Sequence, residues 1–228
     1  MITNAIRSEK KEITVQKKKP HSFLAYAYSR TKQNTCKLEL VENAKQYREL
    51  IKLRKEIFIK SGIYPFKFIL NGLERQSVHF LAKQDTRYVG MISVKLDDDF
   101  GLPLEEYFNL NSYRKRRIVE LGKLGVVNSA CDRMVFYQLV GAAYAFVRFC
   151  GYDAIVMTTL KRLDKNNRIY TKMGFKVIAD VKIYDNQSAY VMILDLNLVN
   201  GLMWMPTQLT KVAKRLIHSV YCPDLADS

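Results

Sequence analysis

The sequence predicts a mixed α/β layer fold: one central sheet, mostly antiparallel, with helices on both faces. Three observations point to it. Apolar strand-like runs and amphipathic helical stretches alternate in the order strand, helix, hairpin, strand, helix, strand, helix, paired strands. The link Lys83–Thr86 is short enough to make the strands on either side of it antiparallel neighbours. The stretch from Arg87 to Gly151 holds two strand-like runs, a loop and a long helix, and the remaining elements read as support for it. Residues 1–34 form a basic extension, 35–198 the folded domain, and 199–228 a C-terminal amphipathic helix and tail.

The elements follow from local chemistry. Residues from Cys36 to Val41 read as a strand. Asn43 then caps a helix, Gln46 completes the capping box, and Tyr47, Leu50, Ile51, Ile57 and Phe58 form the buried stripe, with Arg54 beside it. Gly62 and Pro65 end this helix, and the run Phe66–Leu73 reads as a short helix or an ordered loop over a pocket. Strands over Ser77–Ala82 and Arg87–Leu96 make the hairpin. In the next strand, Val119–Val126, Val119, Leu121 and Lys123 alternate with Glu120, Gly122 and Leu124, so Glu120 shares its face with a glycine and a leucine. A carboxylate there is a paired structural acid or a group placed in a cleft.

A long helix follows. Ser129 and Asp132 form its capping box, Val135, Leu139, Ala142, Ala143, Phe146 and Phe149 its apolar stripe, and Gly151 its stop. Ala154–Thr159 is a strand and Asp164–Thr171 a short helix broken at Gly174. Two strands, from Phe175 and over Ala189–Leu196, are joined by the turn Tyr184–Ser188. In the tail, Leu209, Val212, Ala213, Leu216 and Ile217 form a helical stripe backed by Lys211, Lys214 and Arg215. It packs on the domain or lies at a membrane surface.

A chain of 228 residues fills one domain, and its formal charge of +15 favours an acidic partner without choosing among nucleic acid, membrane surface, protein and phosphorylated cofactor. Cys36, Cys131, Cys150 and Cys222 are scattered without metal spacing and read as reduced thiols of a cytoplasmic protein. No run suits a signal peptide or a membrane span, although contact with the periphery of a membrane stays open. Glycine-rich phosphate loops, dinucleotide fingerprints, a nucleophile elbow and His or Cys metal spacing are all absent from the sequence. Asp97, Asp98 and Asp99 are adjacent, which turns their carboxylates apart, so no metal is expected. His79, inside a strand, reads as a hydrogen-bonding structural residue.

The segments LRKEIF, YVGMISVKL, GLPLEEYF, VELGKLGVV and YTKMGF, in this order and spacing, resemble the Gcn5-related acyltransferase (GNAT) fold. Within it, the chain resembles the branch of long-chain N-acyl amino acid synthases and acyl-homoserine lactone synthases, over about residues 36–197. The resemblance implies a sheet that opens between its fourth and fifth strands to take the pantetheine arm of an acyl donor. Amides around Gly125, Val126 and Val127 would bond that arm, and Glu120 would orient or deprotonate the acceptor amine. Arg54 would order the acceptor side, Lys123 and Phe58 would contact substrate, and Phe66 with Phe68 and Ile69 would line or cover the acyl tunnel. Tyr170 stands where this fold often places the hydroxyl that protonates the leaving thiolate.

Two positions depart from the pattern. Lys123 stands where members usually carry arginine, which loses the planar fork and suggests an ion pair with Glu120 or a neighbouring acid. The stretch VVNSACDRMVF lacks the glycines that cradle the diphosphate of coenzyme A, and Asp132 would compete for the same amides. The expected donor is therefore an acyl group on acyl carrier protein, with acyl-coenzyme A as the alternative and no tightly bound cofactor. Arg114, Lys115, Arg116 and Arg117 are the expected docking residues for the acidic carrier, and Arg133 a donor contact. The function implied is N-acylation of an amino acid or similar small amine. The competing expectations are homoserine lactone synthesis, a non-catalytic nucleic-acid-binding or regulatory protein, and an interfacial scaffold.

Overall fold

The computed structural model describes residues 36–60, 62, 77–97, 101–127 and 132–197. The basic extension, Phe66 and its neighbours, Asp98, Asp99, Ser129, Cys131 and the C-terminal helix lie outside the described residues. Within them the chain runs β1 (Lys37–Leu40), α1 (Ala44–Arg54), β2 (Ser77–Gln84), β3 (Arg87–Leu96), β4 (Ile118–Val126) and α2 (Asp132–Phe149). It continues through β5 (Ala154–Leu160), α3 (Asp164–Lys172), β6 (Lys176–Ile183) and β7 (Gln187–Asp195). The strands form one seven-stranded sheet in the order β1-β2-β3-β4-β5-β7-β6. The pairing of β4 with β5 is parallel and the other pairings are antiparallel. This is the mixed α/β layer fold expected from the element order, with the GNAT-like sheet that the family resemblance implied.

Local signals explain the boundaries. The Asn43 side chain accepts the N–H of Gln46 at 2.9 Å, while the Gln46 side chain reaches past the cap to the N–H of Glu42. The helix does not continue through Phe58 in α form; Lys55–Ile59 make a single π turn, which re-aims Ile57 and Phe58 toward β4. β2 and β3 are paired to Gln84↔Arg87, two residues beyond the expected strand end, and Asp85 takes the positive φ of 54° that so tight a turn needs. Past the end of α2, Gly151 has φ 74°, its N–H bonds the Arg148 carbonyl, and the Tyr152 N–H bonds that of Val147. Two end carbonyls are thereby satisfied.

The sheet has a core on each face. Against α2, Phe80, Ile92, Val94, Val119 and Leu121 pack on Val135, Leu139, Ala143 and Phe146. On the opposite face, Leu50, Leu53 and Phe58 cover Leu81 and Met91, and Leu102, Leu104 and Leu110 cover Ile118, Val156 and Val191. Phe149 does not join the buried stripe. It is the last helical residue, 47% exposed beside the Gly151 turn, and the core closes there on Val147 and Tyr152.

Candidate active site

β4 and β5 pair at only three positions, Ile118↔Ala154, Val119↔Ile155 and Glu120↔Val156. Beyond them β4 stays with β3, and β5 stays with β7 as far as Leu160↔Ala189. The parting coincides with a β-bulge. Gly122 is opposite Ser93 and Gly125 opposite Met91, so Lys123 and Leu124 share the single partner position of Ile92, and Lys123 adopts φ 51°. A bulge of this kind bends its strand and ends regular pairing. It also reverses the alternation: Leu124 packs with the α2-side core, not on the face of Glu120 as simple alternation predicts.

The gap between the parted strands is a cleft of about 580 Å³ that passes through the sheet. Ile57, Phe58 and Lys60 line it on the α1 side, and Phe136, Ile169 and Tyr170 on the α2 and α3 side. Gly125 is required at its wall. A Cβ there would stand 2.7 Å from Cγ2 of Ile57 and 3.2 Å from Cζ of Phe58, so the π turn closes over β4 only because this residue has no side chain.

Of the three expected amide positions, one is engaged within the sheet. The Val127 N–H is donated to the Val89 carbonyl at 2.8 Å. Alternate residues of an antiparallel ladder point to opposite neighbours, so Gly125 also turns toward β3 and Val126 turns its N–H and C=O toward the cleft. Arg133 lies in the first turn of α2.

Glu120 is 8% exposed and lies one residue before the cleft wall, which begins at Leu121. The segment GLPLEEYF holds it. Gly101 has φ 71°, Leu102 donates its N–H to the Glu105 carboxylate, and the short 3₁₀ turn Pro103–Glu106 aims the Leu104 N–H at Oε2 of Glu120, 2.8 Å away. Burial, aided by the charges of Glu106 and Glu105, pushes the Glu120 carboxyl up to about 7, against the lowering pull of the Leu104 N–H and the Lys123 ammonium. Lys123 thus acts on Glu120 through its charge. Lys95, also buried, is the cross-strand neighbour of Glu120.

Arg54 is fully buried on the same face of the sheet. Its guanidinium donates to the Ser93 hydroxyl at 3.1 Å and lies 3.5 Å from Nδ1 of His79, which is itself 2.9 Å from that hydroxyl. His79 is the structural hydrogen-bonding residue expected. Tyr170 lies across the sheet, packed on Phe136 and Phe175 with ring centroids 6.0 Å and 5.9 Å away. Glu120 and Tyr170 therefore flank the cleft from opposite faces. Asn167, which nothing in the sequence singled out, fixes α3 beside it. It accepts from the Thr159 hydroxyl at 2.7 Å and donates to the carbonyls of Leu160 and Lys161.

The basic run 114–117 is elsewhere. It precedes β4, whereas the cleft opens along the strand's far half. Its arginines are engaged within the chain: Arg114 with Asp97 and Glu105, Arg116 with Asp195 at 2.8 Å, and Arg117 with the Gly151 carbonyl and the Tyr152 ring. Lys115 is exposed. Exposed Lys165, Arg168 and Lys172 recur at helical spacing along α3, on the solvent face of the helix whose other side, with Leu163 and Tyr170, lines the cleft. Among the described residues there is no group of acids, histidines or cysteines that would hold a metal, and no helix long and apolar enough to cross a membrane. Burial raises the Cys36 thiol to about 11, as suits an idle cysteine.

The splayed parallel pair and the glycine-walled cleft between its strands are the architecture of a GNAT-type acyltransferase. The family model of the N-acyl amino acid synthase FeeM matches residues 49–197, more than half of the chain, and the chain belongs to that family of N-acyltransferases, which use an acyl donor. The structure of FeeM, an N-acyl amino acid synthase from uncultured soil microbes, superposes with a TM-score of 0.65 at 14% identity, over 74% of this chain and 94% of that one. NAA60 of Arabidopsis thaliana, solved with acetyl-CoA, gives 0.55 at 14% identity, over 72% and 99% of the two chains. An N-acetyltransferase described as putative, from Lactobacillus plantarum, gives 0.56 at 13% identity with the same coverage. No curated protein matches the sequence significantly.

Proposed function

We propose that this protein transfers a long-chain acyl group from acyl carrier protein to the amino group of an amino acid or a similar small amine. The observation that carries the reading is the through-sheet cleft, with Glu120 on one face and Tyr170 on the other. The amine nitrogen attacks the thioester carbonyl and gives up its proton to Glu120, directly or through one water. A carboxyl raised to about 7 is a stronger base than an ordinary glutamate while still ionising near neutral pH. The Val126 N–H, turned into the gap, would hydrogen-bond the pantetheine arm or the oxyanion. The C–S bond then breaks, the new C–N bond remains as the amide, and the Tyr170 hydroxyl protonates the leaving thiolate. Arg54 supports the acceptor side through Ser93, and Phe58, lining the cleft on the same face, adds apolar surface there.

For docking of the acidic carrier, the exposed cations Lys165, Arg168 and Lys172 on the solvent face of α3, a helix that lines the cleft, are a better candidate than Arg114–Arg117, whose arginines are engaged within the chain. The net charge of +15 favours such an encounter. Acyl-coenzyme A remains the alternative donor. The test supplies acyl carrier protein, acyl-coenzyme A and a simple acyl-pantetheine in turn with a pool of amino acids, and follows N-acyl products by mass spectrometry. The double charge reversal Lys165→Glu/Arg168→Glu is expected to raise KM for the acyl carrier by ~10-fold or more and to leave KM for acyl-pantetheine unchanged. Equal use of all three donors by both proteins would remove the carrier from the account.

A further inference from the structure

The geometry points to Gly122 as the residue that sets which acceptors fit: the substituent on the acceptor's amine-bearing carbon lies over it. This rests on the function proposed above. Gly122 lines the cleft, and a Cβ built on it meets no atom of the described residues within 4 Å. Its φ lies outside the left-handed region, so the backbone does not ask for glycine there either. Gly125 is the contrast, since there the missing side chain is already filled by Ile57 and Phe58. An interior strand position that needs glycine neither for conformation nor for packing weakens its strand, and what it leaves is open room.

That room has a definite place. Gly122 is two residues from Glu120 and points to the same face, roughly 7 Å along the strand. Its cross-strand partner is Ser93, which carries the Arg54 guanidinium, and three residues further along Ile57 closes over Gly125. An amine placed to lose its proton to Glu120 has its carbon substituents over Gly122. The phenol and the α3 helix that accompany the donor are on the other face. The open room therefore belongs to the acceptor and not to the acyl tail.

Gly122→Ala and Gly122→Val test this, because the added Cβ meets none of the described residues and a strand favours both residues over glycine. Thermal unfolding is expected to show both variants at least as stable as the parent. With one long-chain donor, kcat/KM is measured across glycine, alanine, leucine and tyrosine as acceptors. With one acceptor, it is measured across donors of increasing chain length. The expected result is a loss that grows with acceptor side-chain size, at least ~10-fold greater for tyrosine than for glycine in Gly122→Val, and that is independent of acyl length. A loss equal for all acceptors, or one that grows with acyl length, overturns the inference while leaving the proposed function standing. A parent protein that makes no N-acyl product with any acceptor overturns both.

Discussion

Glu120→Gln separates the chemical role of this carboxyl from its structural cost. Glutamine keeps the shape and can still accept the Leu104 N–H, so the change removes chiefly the charge and the proton. Burial raises the group from 4.5 to about 7 in the folded protein. Between those values the folded state keeps a proton that the unfolded chain has released, so the contribution of Glu120 to stability falls as pH rises through this window and is level above it. A shift of this size, at about 1.4 kcal/mol per pH unit, corresponds to about 3 kcal/mol. Urea unfolding of parent and variant at a series of pH values reads the difference directly. The variant is expected to gain on the parent between pH 4.5 and 7, by up to about 3 kcal/mol, while kcat/KM for acyl transfer falls by about 10² to 10⁴. In the parent, kcat/KM rises with pH through about 7 as the carboxyl ionises. Parallel stability curves for the two proteins, or a variant as active as the parent, would refute the placement of a buried, proton-accepting carboxyl at this position.

Three further substitutions probe the rest of the cleft. Tyr170→Phe keeps the ring packing on Phe136 and Phe175, so thermal stability should change by no more than about 1 kcal/mol while kcat falls by about 10²-fold or more. Gly125→Ala puts a methyl group 2.7 Å from Ile57. It should destabilise the protein by about 1–3 kcal/mol in denaturant unfolding and raise KM for the donor by displacing the π turn. Asn167→Leu removes one acceptor and two donor contacts that tie α3 to the end of β5. It should cost about 2–3 kcal/mol, read in the same unfolding assay.

The order of the elements was legible because its signals are local. Asn43 as a cap, the tight turn after Gln84, the Gly151 stop and the break at Gly174 each act within a few residues of themselves. The position of Glu120 on a strand and its burial followed from period-two alternation up to Gly122. Past that point alternation misled, because the bulge at Lys123 is set by its register against Ile92, a partner 31 positions earlier that a local pattern does not reveal. The burial of Arg54 depends on His79 and Ser93 meeting across two strands, and the π turn on the missing side chain of Gly125. That Arg114 and Arg116 are ion-paired was not legible, because their acids, Asp97, Glu105 and Asp195, come from elsewhere in the chain. The opening between β4 and β5 was expected from the family resemblance alone.

The central claim is tested most directly by transfer itself. Purified protein is mixed with long-chain acyl carrier protein and a ¹⁵N-labelled amino acid, and the products are resolved by mass spectrometry for the parent and for Glu120→Gln. The account predicts a labelled N-acyl amino acid and free carrier thiol in equal amounts from the parent, with the rate reduced at least ~100-fold in the variant. Labelled product at equal rates from both proteins, or thiol release with no labelled amide, would contradict it.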